Sequence, residues 1–263
     1  MKNKVTLLSF FLAFTSLVAF AQKTVDAADI IKDIKAGKSI SISNATIEGI
    51  LDFTYMDEKL EDLPKRKKKR WWNNKGLDNK IKNQIDVNIS FTNCTFKDDV
   101  LAYFPDGEDS GYTFVANFEE DAMFKDCKFE GKAMFKYSDF EKDASFQNSK
   151  FQDDTTFKYA KFKNNISFKN TGFENDATFK YAEFRIFIDF SNSTFSENAT
   201  FKYAKFKEGV SFKNVQFEEG LNIKYTQVRG KFDISGMKVA FDIDSKYTKI
   251  NGKSFSKYLL SNQ

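Results

Sequence analysis

The chain has 263 residues, with 41 Lys and Arg against 37 Asp and Glu, no His and 2 Cys. The lack of His excludes His-based triads, His general bases and His metal ligands, and two Cys alone cannot complete a zinc site. With 32 Phe, 12 Gly and 2 Pro, the composition also excludes a disordered or collagen-like chain.

Residues 1–21 have the layout of a secretory signal peptide. Lys2 and Lys4 precede an apolar run, Val5 to Phe20, and Ala19-Phe20-Ala21 offers cleavage before Gln22. The alternative is an uncleaved anchor, but the run is short for a span and a small-residue cleavage site follows it. No Cys follows the run, which argues against a lipoprotein. An exported protein, periplasmic or secreted, is expected, with no transmembrane span in the mature chain.

Residues 22–38 read as an N-terminal cap. Within it, AADIIKDIKA at 27–36 is amphipathic, with Ile30, Ile31 and Ile34 on one face and Gly37 as a stop. A repetitive domain then spans 39–252, with two insertions. The first, about 57–84, carries Lys65, Arg66, Lys67, Lys68, Lys69 and Arg70, followed by Trp71 and Trp72. The second, about 104–113, reads FPDGEDSGYT and is a loop by composition. Residues 253–263, with Phe255, Tyr258, Leu259 and Leu260, are expected to cap the far end. Of the net charge of +4, two charges fall on Lys2 and Lys4 and six on Lys65 to Arg70, so the remainder carries −4. The positive charge is concentrated in one loop.

The repeat is clearest from 155 to 217. Phe occurs at 157, 162, 168, 173, 179, 184, 190, 195, 201, 206, 212 and 217, in alternating steps of five and six. The true period is 22, because one half carries Phe-Lys-Tyr at 157, 179 and 201 and the other places Asn170, Asn192 and Asn214 two residues past its Phe. No helical face follows that alternation. Pairs such as Ala177/Phe179 and Ile166/Phe168 instead fit very short strands with inward side chains, each followed by a corner. A chain that turns at fixed intervals with its apolar residues on one side must coil, and its coils stack about 4.8 Å apart.

The pairs Ala160/Phe162, Ala177/Phe179, Ala182/Phe184, Ala199/Phe201 and Ala204/Phe206 resemble the pentapeptide-repeat family, with a small residue two places before a central Phe. The resemblance covers most of the mature chain. It implies an all-β fold, a right-handed quadrilateral parallel β-helix of about eight coils. The sequence departs from plain fives at every second step. Asp143, Asp154, Asn165, Asp176, Asn198, Gly209 and Gly220 fall there and tolerate left-handed backbone, so a bulged corner is expected at each.

The sequence offers no phosphate loop or nucleophile elbow, and its carboxylates fall at solvated corners, so neither an enzyme nor a cofactor or metal is expected. Two ladders stand out. Tyr137, Tyr159, Tyr181, Tyr203, Tyr225 and Tyr247 recur every 22 residues, each preceded by Lys: Lys136, Lys158, Lys180, Lys202, Lys224 and Lys246. Asn148, Asn170, Asn192 and Asn214 recur on the other half. Such ladders either stabilise corners, as identical residues do in stacked sheets, or present an aromatic and cationic strip to a repetitive ligand such as a glycan. Residues 65–72 either form a solvated loop or meet an anionic surface. Equating the half-coils of Phe91 and Phe124 makes Cys94 and Cys127 inward vertical neighbours, close enough for a disulfide.

The expected function is a secreted, non-enzymatic scaffold that contacts a protein, a glycan or an anionic envelope surface. Nucleic acid is not an expected partner. The alternatives are a DNA-mimic topoisomerase inhibitor, which the family resemblance implies but which needs a strongly negative rod, and a β-helical polysaccharide enzyme, which needs a cleft. Ice binding through Thr156, Thr178 and Thr200 would need a flatter array than Lys and Tyr allow.

Overall fold

The computed structural model describes residues 23–63, 79–106 and 112–260. Residues 1–21 and the basic run with Trp71 and Trp72 lie outside them. The chain forms a β-solenoid of very short parallel strands. Four sheets run along it, and each coil contributes one strand to each. In chain order around one coil, face I holds Ile166–Ser167, face II Gly172–Phe173, face III Ala177–Thr178 and face IV Glu183–Phe184. Faces I and III each contain eight strands, face II nine and face IV ten. Register advances by one period: Thr155 pairs with Ala177 and Ala177 with Ala199 on face III, Lys161 with Glu183 on face IV.

The core consists of four Phe columns. On face III, Phe135, Phe157, Phe179 and Phe201 stack at centroid distances of 5.1, 5.2 and 4.9 Å. Across the core the rings meet edge to face, as Phe168 and Phe179 do at 5.3 Å and 85°. Burial of each ring contributes about 1.5–3 kcal/mol, and favourable ring pairs add roughly 0.5–1.5 kcal/mol.

The corners depart from the sequence expectation. The left-handed residues are the Asn and Tyr two places past the Phe: Asn148, Asn170 and Asn192 at φ 57–59°, Tyr159, Tyr181 and Tyr203 at 61–62°. Of the seven positions expected to be left-handed, only Gly209 has positive φ, at 112°. The five-residue step leaves the shorter link and needs the sharper turn, which a left-handed residue supplies. The six-residue step has length to spare and turns through ordinary φ.

The ends and insertions also have defined structure. Lys23–Asp26 forms a strand on Ala45–Glu48, followed by helix α1, Ala27–Lys35, whose N-cap Asp26 accepts a 2.8 Å hydrogen bond from the Ala28 N–H. Ala27, Ile30 and Ile34 of α1 are buried against the core. The insertions contribute helix α2, Met56–Asp62, and the strand Lys80–Ile85, which pairs with Tyr112–Phe118 on face IV. The stretch expected as a loop at 104–113 begins and ends in an antiparallel hairpin, with Tyr103–Asp106 paired to Tyr112–Phe118. Its alternating aromatic and β-branched residues override the Pro-Asp-Gly signal that dominated the sequence reading. Helix α3, Phe255–Leu260, lies at the far end, with Phe255 buried and the Tyr258 hydroxyl donating to the Phe232 carbonyl.

Candidate functional site: a lysine and tyrosine column beside face III

At the corner between faces III and IV the six tyrosines form one stack. Successive centroids from Tyr137 to Tyr247 are 4.9, 4.6, 4.6, 4.6 and 4.8 Å apart. Lys80 Nζ covers the upper face of Tyr137 at 3.9 Å from its centroid. A left-handed backbone suits Asn and Gly, and a bulky side chain there is an outlier costing about 1–2 kcal/mol. Six tyrosines occupy that place, and ring stacking offsets part of the cost. The stack also buries the ring faces against each other, so the strip presents ring edges and hydroxyls to solvent. Between its two ends the column therefore offers a ligand ring edges and not ring faces.

Each lysine of the column leans over its own tyrosine. Lys158, Lys180 and Lys202 place Nζ at 5.5, 5.6 and 5.4 Å from the ring centroids. Lys136 donates a 2.9 Å hydrogen bond to the Tyr103 hydroxyl, and Lys224 lies 3.9 Å from Asp244. Between them, Lys158, Lys180 and Lys202 have no carboxylate within ion-pair reach among the described residues. Lysines on the neighbouring faces differ: Lys150 pairs with Glu174 at 2.5 Å and Lys207 with Glu183 at 2.5 Å, each across one coil. Partial burial, then repulsion from Lys136 and Lys180, holds the Lys158 ammonium below the ordinary lysine pKa.

The fold does not require this column. At the equivalent corner between faces I and II, the residues after Phe are Lys125, Gln147, Lys169, Ser191 and Lys213, so lysine is interrupted at every second coil. That corner carries a neutral ladder instead: Asn170 Nδ2 donates to Asn148 at 2.8 Å and Asn192 Nδ2 to Asn170 at 3.0 Å. Asn suits both the backbone and the ladder and stands where the other corner has Tyr, while the lysines of that other corner gain only the contact with their own tyrosines.

Face III beside the column is a shallow groove of about 380 Å³. The sequence reading noticed its Thr column but not the groove, because the groove follows from the relief of three neighbouring columns. Strand alternation turns Asp176, Thr178 and Lys180 outward on one rung. Tyr103 and Lys136 line the upper end of the groove.

Cys94 and Cys127 are both buried and one coil apart: the N–H of Lys128 donates to the Cys94 carbonyl at 2.8 Å. Both are free thiols. The hydrogen bond between them, then burial, pushes the Cys127 thiol up in pKa, so Cys94 ionises first. Cys127 continues downward as Ser149, Thr171 and Ser193, whose hydroxyls donate to the carbonyls of Phe124, Phe146 and Phe168. Among the described residues no group of three or more His, Cys, Asp or Glu is placed to hold a metal, and no helix is long and apolar enough to cross a membrane.

The fold defines a repeat β-solenoid. Residues 116–161, 157–205 and 187–227 match the family model for pentapeptide repeats (9 copies), and the chain is a pentapeptide-repeat protein. No curated protein and no solved structure matches it.

Proposed function

We propose that this protein is an exported, non-enzymatic β-helical scaffold that binds an anionic component of the cell envelope through the lysine and tyrosine column. Proteins of this family are in general non-enzymatic scaffolds. The observation that carries the binding reading is the continuity of the lysine column on one corner and its interruption on the equivalent one. Like charges one strand spacing apart repel, and faces II and IV relieve such charge with carboxylates. Maintaining three unpaired ammonium groups in a row is costly unless an external anion relieves them. A DNA-mimic reading would instead need a strongly negative rod. The signal-peptide layout of residues 1–21 supports export.

Co-sedimentation of the purified protein with isolated envelope fractions tests this reading. Binding that weakens as salt rises is expected, because the contacts are exposed charges. Protein that stays in the supernatant at low salt, or that binds independently of salt, contradicts it.

A further inference from the structure

We propose that face IV of the solenoid docks on an anionic phospholipid bilayer, lying along the headgroups with the lysine column at one edge and Ile186 and Phe187 at the other. This rests on the binding reading above and names the partner for the same side of the molecule.

From the lysine column onto face IV, successive coils read KYAKFK at 158–163, KYAEFR at 180–185, KYAKFK at 202–207 and KYTQVR at 224–229, and Glu183 is the one acidic residue in these stretches. Register sets Lys161, Glu183, Lys205 and Gln227 in one outward row along face IV. Two residues on, Lys163, Arg185, Lys207 and Arg229 form a second row with no interruption. Each N–H of that row donates to the carbonyl of the Phe one coil above, as Arg185 does to Phe162 and Arg229 to Phe206, both at 2.9 Å. The fold does not need cations in that place. On face II, two faces away around the coil, the same bonds are made by Gln152, Glu174, Ser196 and Glu218. Glu183 offsets only part of the charge. Lys207 pairs with it at 2.5 Å, whereas Arg185, Lys205 and Arg229 are exposed and have no carboxylate within ion-pair reach among the described residues. The hydrogen bond from Lys207, with the charges of Lys207, Lys205 and Arg185, holds the Glu183 carboxyl below the usual carboxylate range against its partial burial.

The corner that ends face IV carries the second feature. In the neighbouring coils it consists of Asn164-Asn165 and Glu208-Gly209, but in the coil between them of Ile186-Phe187. Both are only partly buried, and neither belongs to the core cluster. A side several coils long, with exposed cations along it and an apolar pair at its edge, matches a bilayer surface. The ammonium and guanidinium groups meet headgroup phosphates, and the apolar pair enters the boundary with the acyl chains. A shallow pocket of about 210 Å³, lined by Glu183, Lys205, Lys207, Gln227 and Arg229, gives one headgroup a seat between two rungs. A free phosphate would fill that pocket but leave the two rows and the apolar corner unused. Nucleic acid would offer Ile186 and Phe187 no apolar partner, and between the ends of the tyrosine stack its bases would find no ring face.

Co-sedimentation with vesicles of equimolar phosphatidylglycerol and phosphatidylcholine, and with vesicles of phosphatidylcholine alone, tests the proposal. The protein is expected to bind the anionic vesicles, less as salt rises, and the neutral ones at least about tenfold more weakly. The variant R185S/K205S/R229S should weaken binding by about tenfold or more, while K125S/K169S/K213S, with the same change in charge on the corner between faces I and II, should stay within about twofold of the unaltered protein. F187S leaves every charge in place and should weaken binding by about threefold. Thermal melting of each variant serves as the folding control. Glycerol phosphate or duplex DNA at the same phosphate concentration should leave the protein on the vesicles. Displacement by the first would identify a phosphate pocket and by the second a nucleic-acid partner, and either overturns the proposal. So would equal losses in the two triple variants, equal binding to neutral vesicles, unchanged binding by F187S, or a larger loss in K67S/K68S/K69S than in R185S/K205S/R229S. If vesicle binding is absent while salt-sensitive, column-dependent binding to envelope fractions remains, the partner is wrong and the scaffold reading stands. If envelope binding is also absent, both fail.

Discussion

Tyr159 and Tyr181, one coil apart, stack with centroids 4.6 Å apart and ring planes 3° from parallel, and both hold the left-handed backbone at φ 61°. The backbone cost of the corner and the stacking gain are thus carried by the same residues, and the stack fixes where the preceding lysines emerge.

Substitutions at Tyr181 separate those two contributions. Tyr181→Asn keeps a residue that tolerates the left-handed region and loses only the ring, so a cost of about 1 kcal/mol is expected. Tyr181→Val also places a β-branched residue there, raising the expected cost to about 2–3 kcal/mol. Urea titration measures both, and equal costs would contradict the corner assignment.

Phe179 is fully buried, stacked between Phe157 and Phe201 and met edge-on by Phe168 and Phe190. Phe179→Ala should destabilise by about 3–5 kcal/mol through lost burial and the cavity left behind. A denaturant midpoint shift equivalent to less than about 1 kcal/mol would show that the ring does not carry the core.

Cys127 occupies a column otherwise filled by Ser149, Thr171 and Ser193. Its Sγ–H lies 3.6 Å from the Phe91 carbonyl, where the serines of the column make shorter bonds. Cys127→Ser is therefore expected to change stability by less than about 1 kcal/mol. A loss above about 3 kcal/mol would show that the thiol contact with Cys94 is an essential part of the core.

The lysine column has a signed pH signature. The folded pKa of Lys158 lies below its unfolded value, so the charged form is the one folding penalises. The penalty is fully present below the folded pKa and disappears as pH rises through it. Removing a neighbour in Lys180→Ser should raise the Lys158 pKa, read by NMR titration of ε-labelled lysines. An unchanged or lower pKa would mean that the ammonium groups do not sense one another. Anion binding to the column is expected to weaken at alkaline pH for the same reason.

The sequence and the structure agree most where the residue determines the position. An inward Phe every five or six residues forces both the coil and the columns, so the solenoid could be read directly from spacing. Spacing could not locate the left-handed backbone. Asp143 and Asp154 are favourable residues for it and Tyr159 is not, yet the shorter link passes through Tyr159, and link length decided. Nor could residue types show that Pro105 sits in a strand paired with Thr113. The tyrosines were legible as a ladder, but which surface they expose depends on ring orientation, which the sequence does not carry. The Asp, Thr and Lys columns were each visible at their 22-residue spacing, but the groove became apparent only once face III set them side by side.

The central claim is that the lysine column, rather than overall charge, makes this solenoid a binding protein. Its most direct test is the fraction of protein bound to envelope material at low salt for the unaltered chain, for K158S/K180S/K202S and for K125S/K169S/K213S. The account expects the column variant to lose binding and the opposite-corner variant to match the unaltered protein. Equal binding by all three, or an equal loss in both variants, would contradict it.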